Sequence, residues 1–527
     1  MSYRPVYHAS VPSGWSNDPN GTIYYQGKVH MFFQHYPHKA EWGTMHWGHF
    51  VTEDLVHWTA LPVALVPDQP YEVLCGCCSG SAIEKGGRLY LLYTAAQPEL
   101  QRQCLAFSDD GGIVFQKAAT NPILTAEMLD DEVSPLDFRD PRLFQKDGMY
   151  YFIAGARVRT AEELAAVRAA RAAQTVQAPN AGSQPANSSA AQGDLLLRSP
   201  SASDVSGTET PRPGFGNLIL CRSRDLLHWE YVGHLLHRQP ELADAFFALN
   251  GVYECPDYLE LDGKELLLTS PQNLPQMGNH YQNVHSALYL LGKLDFETGR
   301  FAIETIEELD HGFDFYAAQT VRMPDGRVIL IAWKEMWDRN YPTQTEGWAG
   351  TYSFPRELRV AEGQLLQKPA RELDAFCKNR VCCNLSVDAN TEVSRAELSG
   401  TVIRLRFLLK PGTSKRAGVR VFAGKEHETV VCYDRAAGIV EIDRSRSGLS
   451  FRGCEDDLYV RRCEVGSHDA LEMELLLDVS SLEVFVDGGK HVMTANVYPE
   501  AEDRNLIFFA EGGAAAFETV EKFDVVV

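Results

Sequence analysis

Three short stretches of this chain each set an acid inside turn-forming sequence: GWSNDPNG at 14–21, FRDP at 138–141 and YECPD at 253–257. Each acid lies within two residues of a proline, and the first also precedes Asn-Gly. That is turn chemistry. An Asp before Pro often does no more than close an Asx turn, and a lone Glu in a loop is usually solvated. Carboxyls that converge do more. Like charges repel, so one keeps its proton near neutral pH while another stays ionised. An ionised carboxylate beside a protonated one is the equipment for glycoside hydrolysis. Trp15, Trp42 and Trp47 offer flat apolar surfaces, and Asn17, Gln34 and Arg139 offer directional hydrogen bonds. Such a mix suits a sugar, although Trp also fills cores. No phosphate-cradling loop, nucleophilic Ser or Cys signature, or metal-binding His pair is evident.

What must position Asp18, Asp140 and Glu254 is an internal repeat. A Gly turn, a short polar step and an apolar strand recur in QGKVHMFFQHY, GGRLYLLYTAA, DGMYYFIAGA, DGKELLLTSPQ and DGRVILIAWKEM. Each reads as a hairpin turn feeding a strand. The turn glycines Gly27, Gly87, Gly148, Gly263 and Gly326 are spaced by 60, 61, 115 and 63 residues. The long gap contains residues 158–213, which are rich in Ala, Ser, Pro, Gln and Asn. Most of that stretch cannot bury enough surface to offset its ordering entropy and reads as a peripheral loop. Its start, TAEELAAVRAARAAQ, reads as a helix with Thr160 and Glu163 as a capping box.

Removing the insert restores a period near 60 residues. Five all-β units of that size predict a five-bladed β-propeller rather than five unrelated hairpins in a sandwich. TEDLVHW at 52–58 and SRDLLHW at 223–229 are a second echo of the repeat. In a propeller the innermost strands line the central channel. The residue about nine before each turn glycine is then equivalent in every blade, which gives Asp18, Asp140 and Glu254. The second unit offers Cys78 and Ser79 there, and the fifth offers Tyr316, Ala317 and Gln319. The three acids are expected to converge on one funnel.

Composition narrows the partners. The chain has 527 residues, 45% of them hydrophobic, and a formal net charge of -22. That balance argues against nucleic acid or an anionic membrane, either of which wants a basic face. The start, MSYRPVYHAS, shows no basic segment followed by an apolar run, and no stretch is long and apolar enough to span a bilayer. The expectation is a cytoplasmic protein whose 12 cysteines stay reduced. Cys75, Cys77 and Cys78, and likewise Cys382 and Cys383, read as ordinary buried thiols rather than metal ligands.

WSNDPNG, FRDP and ECPD resemble, in order and separation, the three signature motifs of glycoside hydrolase family 32, the β-fructofuranosidases. The resemblance continues in WGHFVTEDLVHW (47–58), SGSA (79–82), DFYAAQT (314–320), SFPREL (353–358) and SSLEVFVDGG (480–489). It covers nearly the whole chain except the insert. It implies a propeller followed by a β-sandwich. Beyond a connector at 361–375, short alternating strands such as TVIRLRFLL and LEMELLLDV fit a sandwich over 376–527.

By the same resemblance, Asp18 would be the nucleophile, attacking C2 of a fructosyl unit. Glu254 would be the acid and base, and Asp140 the transition-state stabiliser beside Arg139. Trp15, Asn17, Gln34, Trp42, Cys78, Ser79 and Tyr316 would border or hold the fructose. Retention of configuration would follow, with the Asp18 and Glu254 carboxyls about 5–5.5 Å apart. No metal or organic cofactor is implied. The sequence departs from the family at Ser16, often bulky and apolar there, and at Cys78, usually aromatic. Both departures bear on affinity or specificity. The expected substrate is a small sugar: sucrose 6-phosphate or sucrose, with an exo-acting fructan or fructo-oligosaccharide hydrolase as the alternative. A non-catalytic carbohydrate-binding propeller is the alternative from another class. The sequence carries no signal of oligomeric state.

Overall fold

The computed structural model describes residues 2–97, 100–176, 214–237, 251–455 and 457–527. Apart from the helix Ala161–Val176 and short 3-10 turns, the described elements are β-strands. Five antiparallel sheets follow one another along the chain, opening with the strands Gly14–Tyr25, Gly76–Lys85, Val133–Lys146, Tyr253–Leu261 and Tyr316–Arg322. Each opening strand packs beside that of the next sheet, and the fifth packs beside the first. The short strand Trp348–Ala349 pairs in parallel with Gly14 and Trp15, so a segment between strands of the fifth sheet completes the edge of the first.

The hairpins that build these sheets follow from the repeated glycines. Gly27, Gly87, Gly148, Gly263 and Gly326 all have φ between 79° and 88°. A Cβ on any of them would meet nothing within 4 Å, so the requirement is conformational rather than spatial. In four of the five turns the preceding residue, Gln26, Gly86, Asp147 or Asp262, also has positive φ. Two consecutive positive values make the I′ turn that matches strand twist. The TEDLVHW and SRDLLHW echo is also physical. In each copy the Asp accepts backbone N–H groups two and three residues on and bonds the His ring at 2.7 Å. In each copy the following Leu turns to positive φ.

The insert begins as expected. Thr160 N–H donates to Glu163 Oε2 at 2.7 Å and Glu163 N–H donates back to Thr160 Oγ1 at 3.3 Å, a capping box for Ala161–Val176. Most of the expected loop that follows lies outside the described residues. The connector expected at 361–375 is shorter in the structure. Gln364–Pro369 pairs with Arg356–Ala361 as the outermost strand of the fifth sheet, turned by Glu362 and Gly363 at positive φ.

Two six-stranded sheets complete the chain, and the side chains of both meet in one core that includes Leu405, Val419, Val431, Leu475, Val484 and Phe508. The expectation of buried thiols holds fully only for Cys77: Cys75, Cys78 and Cys383 are partly buried, and Cys382 is the exposed one. It lies on the edge strand Cys377–Val387, where alternate residues face outward. All 12 cysteines are free. No helix among the described residues is long and apolar enough to cross a membrane.

The contact between the five sheets and the six-stranded pair is buried, with an apolar seam in which Leu476, Phe485 and Val492 join Met31, Phe33 and Ile329, and with charged pairs beside it. Arg356 Nη2 reaches Asp310 at 3.0 Å and Glu483 at 2.7 Å. Asp314 is gripped by Arg339 at 2.9 Å and Arg444 at 2.7 Å. Three of the motifs noted above, DFYAAQT, SFPREL and SSLEVFVDGG, thus supply Asp314, Arg356 and Glu483 to this joint.

Candidate active site

Each of the five opening strands carries a bulge at a similar level. The ladder slips between Ser16 and Pro19, Cys78 and Gly80, Arg139 and Arg142, Glu254 and Asp257, and Tyr316 and Gln319. A bulge adds a residue on one strand and re-aims the side chains beside it. Asp140, Cys255 and Ala317 are the first bulge residues of their strands, and all three have positive φ, from 45° to 61°. The expectation of strictly equivalent acids is corrected here. By pairing, Asp140 matches Cys255 and Ala317, whereas Glu254 matches Arg139 and Tyr316. Asp18 is the second bulge residue, after Asn17. The acids occupy three neighbouring levels around shared bulges and still come together.

Asp18 is buried at the centre. Its carboxylate accepts from Asn17 Nδ2 at 3.1 Å, Ser79 Oγ at 2.7 Å and Cys255 Sγ at 3.4 Å. Asn17 is itself fixed by Trp15 Nε1, 2.8 Å from its Oδ1. Asp140 Oδ2 accepts from the Cys255 backbone N–H at 3.1 Å, and Cys255 Sγ lies 3.7 Å away. One cysteine therefore touches both aspartates. Glu254 is held through Oε1 by Arg139 Nε at 2.9 Å and through Oε2 by the Tyr316 hydroxyl at 2.7 Å. Arg139 is anchored behind by Asp137 at 2.8 Å.

The electrostatics follow from this crowding. Burial and the Glu254 charge raise Asp18, while donors from Ser79, Asn17 and Cys255 oppose the rise. Asp140 is pushed up to about 7, first by burial, then by the Glu254 charge, with Arg139 opposing and Asp18 adding. Burial raises the thiols of Cys78 and Cys255 well above their ordinary value, so both stay protonated beside the carboxylates. Asp140 is thus the strongly perturbed member of the group.

Most other expected residues gather here, though not all reach the acids. Trp15 and Trp42 join an apolar collar with Cys255, Tyr316, Trp333 and Trp337. Ser79, Asn17, Arg139 and Tyr316 touch the acids directly. Gln34 does not: it is 2% exposed and its amide donates to the Cys77 carbonyl at 3.0 Å, bracing the second sheet against the first. Trp47 is fully buried core, donating to the Cys78 carbonyl at 3.1 Å. Ser16 packs away from the acids against Gly350, where a Cβ would stand 2.0 Å from its Oγ. A bulkier residue at 16 has no room beside that segment.

Sequence reasoning missed Cys255, Trp333, Trp337 and His285. The two tryptophans sit where the second strand of the fifth repeat ends, a position the repeat itself could have marked. Trp15 lies 5.8 Å from Trp333 and 6.0 Å from Trp337, centroid to centroid. His285 lies 5.6 Å from the Tyr316 ring, with burial lowering its pKa against the pull of Glu254. A shallow hollow of about 430 Å³ near Gly14, Lys39 and Gln344 is lined by none of the three acids.

Known families, relatives and structures match the chain along nearly its whole length. The glycosyl hydrolases family 32 N-terminal domain matches residues 8–174 and 205–369, and the family 32 C-terminal domain matches residues 374–525. The raffinose invertase of Escherichia coli is 32% identical over 532 residues, covering 98% of this chain and 93% of the relative. The sucrose-6-phosphate hydrolase of Zymomonas mobilis is 30% identical over 547 residues, covering 99% and 92%. Among solved structures, the sucrose-6-phosphate hydrolase from Lactobacillus gasseri superposes with a TM-score of 0.78 at 26% identity, covering 99% of this chain and 93% of that one. The Bombyx mori GH32 beta-fructofuranosidase does so with a TM-score of 0.73 at 29% identity, covering 99% and 94%. Matched by both domain profiles along nearly its whole length, and around acids held in this arrangement, the chain belongs to glycosyl hydrolases family 32.

Proposed function

We propose that this chain is a retaining β-fructofuranosidase that releases fructose from sucrose 6-phosphate or sucrose. The observation that carries the reading is the unequal treatment of the acids. Asp18 receives three donors that favour its ionised form, while Glu254 is clasped by a cation and a phenol beside it. The relatives at about 30% identity are named for sucrose 6-phosphate and for raffinose, which supports a fructosyl-bearing substrate.

In this reading an Asp18 oxygen forms a bond to C2 of the fructosyl unit. The bond from C2 to the leaving oxygen breaks, and Glu254 gives that oxygen its proton. Glu254 then takes a proton from water, the water oxygen attacks C2, and Asp18 departs. Two inversions give retention. Asp140 and Arg139 hold fructose hydroxyls. With its carboxyl raised to about 7, Asp140 can donate in its protonated form as well as accept. The tryptophan collar covers the apolar ring face.

Under the same proposal the five sheets are the blades of a β-propeller and the six-stranded pair is a β-sandwich, with the boundary at 370–376. The test is kinetic and chemical together. Purified protein is offered sucrose, sucrose 6-phosphate and a short fructo-oligosaccharide, and fructose release is followed. A Glu254→Ala variant, offered fructosyl fluoride, whose leaving group departs without a proton, is slowed mainly in the second step and is digested to find a fructosyl group on the Asp18 peptide. Binding without release from any of the three sugars overturns the reading in favour of a lectin. Faster release from the oligosaccharide than from either disaccharide makes the chain an exo-fructanase.

A further inference from the structure

Away from the acids, a group of imidazole, thiol and carboxyl side chains gathers where the fourth and fifth sheets meet the six-stranded pair. His280 lies between Lys264–Pro271 and Leu288–Leu294, Glu308 ends the strand Phe301–Glu308, and His311 lies just beyond it. Cys463 comes from Val460–Glu464 and His491 opens His491–Asn496, both in the six-stranded sheets. One ligand atom from each of His311, Cys463 and His491 lies within 4.8 Å of the others, and the same holds for His280, Glu308 and His311.

We propose that His311, Cys463 and His491 bind a transition-metal ion, with Zn²⁺ the best match, and so clip the two parts of the chain together. Two imidazoles and a thiolate are a ligand set that zinc takes at 2.0–2.3 Å, which puts donors about 3.5 Å apart in a tetrahedron. Closing from the observed spacing needs side-chain shifts of roughly 1 Å, within rotamer play. Water fills the fourth position.

The surroundings are those of a built site. His311 Nδ1 lies 3.4 Å from Glu308 Oε2, and the ring also bonds the Cys463 thiol, a contact whose proton a metal would replace. A carboxylate behind a ligating histidine fixes its tautomer and raises its basicity. Glu308 is held in turn by His280 Nδ1 at 3.1 Å. The backbone is also fixed: His311 N–H donates to the Val492 carbonyl at 2.8 Å. Next to it, a Cβ on Gly312 would fall 2.1 Å from Thr494 N, so only glycine lets this loop lie flat on the His491 strand. Cys463 is fully buried, so its sulfur is shielded from bulk oxidants, while the two histidines lie nearer the solvent. Two parts of the fold thus hold the ligands before any ion arrives, the condition for a tight site.

The experiment uses the full chain freed of metal with a chelator and titrated with Zn²⁺ alone, then with Co²⁺ as a spectroscopic probe. Expected are one zinc per chain, a raised melting temperature with zinc, and a thiolate-to-cobalt charge-transfer band. Cys463→Ser removes the band. His491→Gln weakens zinc by roughly a hundredfold, and Glu308→Gln by roughly tenfold with the stoichiometry kept. Sucrose hydrolysis stays near wild type in all three. Cys463 is in the core, so if its variant fails to fold, the partly exposed His491 decides alone. Absence of stoichiometric zinc binding, or zinc binding undiminished in His491→Gln, overturns the proposal.

Discussion

Cys255 Sγ stands 3.4 Å from Asp18 Oδ2 while its own backbone N–H holds Asp140. The residue between the acid and the proline of YECPD is thus the contact through which the fourth sheet addresses both aspartates of the first and third. A donor to a carboxylate favours its charged form and lowers its pKa. Cys255→Ala removes that donor from Asp18 and leaves the backbone contact to Asp140 intact. The nucleophile must be ionised to attack, so the acid limb of kcat/KM should move to higher pH in Cys255→Ala. Cys255→Ser, which restores a donor, should bring it back. A pH profile of sucrose hydrolysis checks both, and an unmoved limb in Cys255→Ala would deny the cysteine any part in tuning Asp18.

Asp18→Asn keeps the size of the side chain and the contacts with Ser79 and Asn17 adjustable. The fold and melting temperature should stay close to wild type, while kcat falls by roughly three orders of magnitude or more, as expected when a covalent nucleophile is removed. Thermal denaturation beside single-turnover kinetics separates the two effects. Near-normal turnover in a folded variant would move the nucleophile elsewhere.

Asp140 carries a stability signature. Its carboxyl is raised from 3.8 to about 7 in the folded chain. The unfolded chain releases that proton near pH 4, so between pH 4 and 7 the native state binds more protons. Stability from this group is therefore complete below pH 4 and lost as pH rises through 7. Asp140→Asn cannot titrate, and Asn tolerates the positive φ of 61° at this position. The variant should be inactive and should lose less melting temperature than wild type between pH 5 and 7.5. Parallel slopes would mean that Asp140 is already ionised in the native state.

The hairpins, the capping box and the acids were legible because each depends on local sequence. Gly27, Gly148 and Gly263 announce their turns within two residues, and Thr160 finds Glu163 three residues on. What stayed hidden depends on pairing at a distance. Asp18 and Glu254 both stand nine residues before their turn glycines, yet pairing sets them two levels apart, and the second irregularity of Gly14–Tyr25, between Asn20 and Ile23, shows only in the ladder. Gln34 reads as a sugar ligand beside WSNDPNG, and the bond of its amide to the Cys77 carbonyl of another sheet has no local signal. Asp314 and Arg444, 130 residues apart, meet in the buried joint with nothing nearby to announce it. The same holds for His311, Cys463 and His491, whose spacing follows no metal-binding pattern.

Tyr316 tests the other side of the catalytic pair. Its hydroxyl donates to Glu254 Oε2 at 2.7 Å and lies 2.9 Å from the Ser270 carbonyl. Tyr316→Phe removes one of the two groups that orient Glu254 and keeps the ring in the collar. Expected is a fall in kcat of roughly tenfold to a hundredfold, in the range of proton-transfer effects, with KM for sucrose little changed. Equal falls with substrates of good and poor leaving groups would show that Tyr316 serves binding and not the orientation of the acid.

Arg356, from SFPREL, tests the joint rather than the site. Its guanidinium, wholly buried, meets Asp310, Glu483, Thr494 and Gln367, and its plane lies over Phe315 at 4.5 Å. Arg356→Met fills most of the volume but leaves Asp310 without a cation and Glu483 with only the His8 ring, 3.1 Å away. Breaking a buried pair from one side costs about 3–5 kcal/mol, because an uncompensated charge remains in low dielectric. A joint of this kind sits one strand from Tyr316, through the adjacent Phe315. Loosening it should lower the melting temperature first and kcat only as the fifth sheet begins to move. Two separated thermal transitions in Arg356→Met would show that the six-stranded pair folds on its own once the joint is cut. A single transition at the wild-type temperature would mean that the arginine is not what holds the parts together.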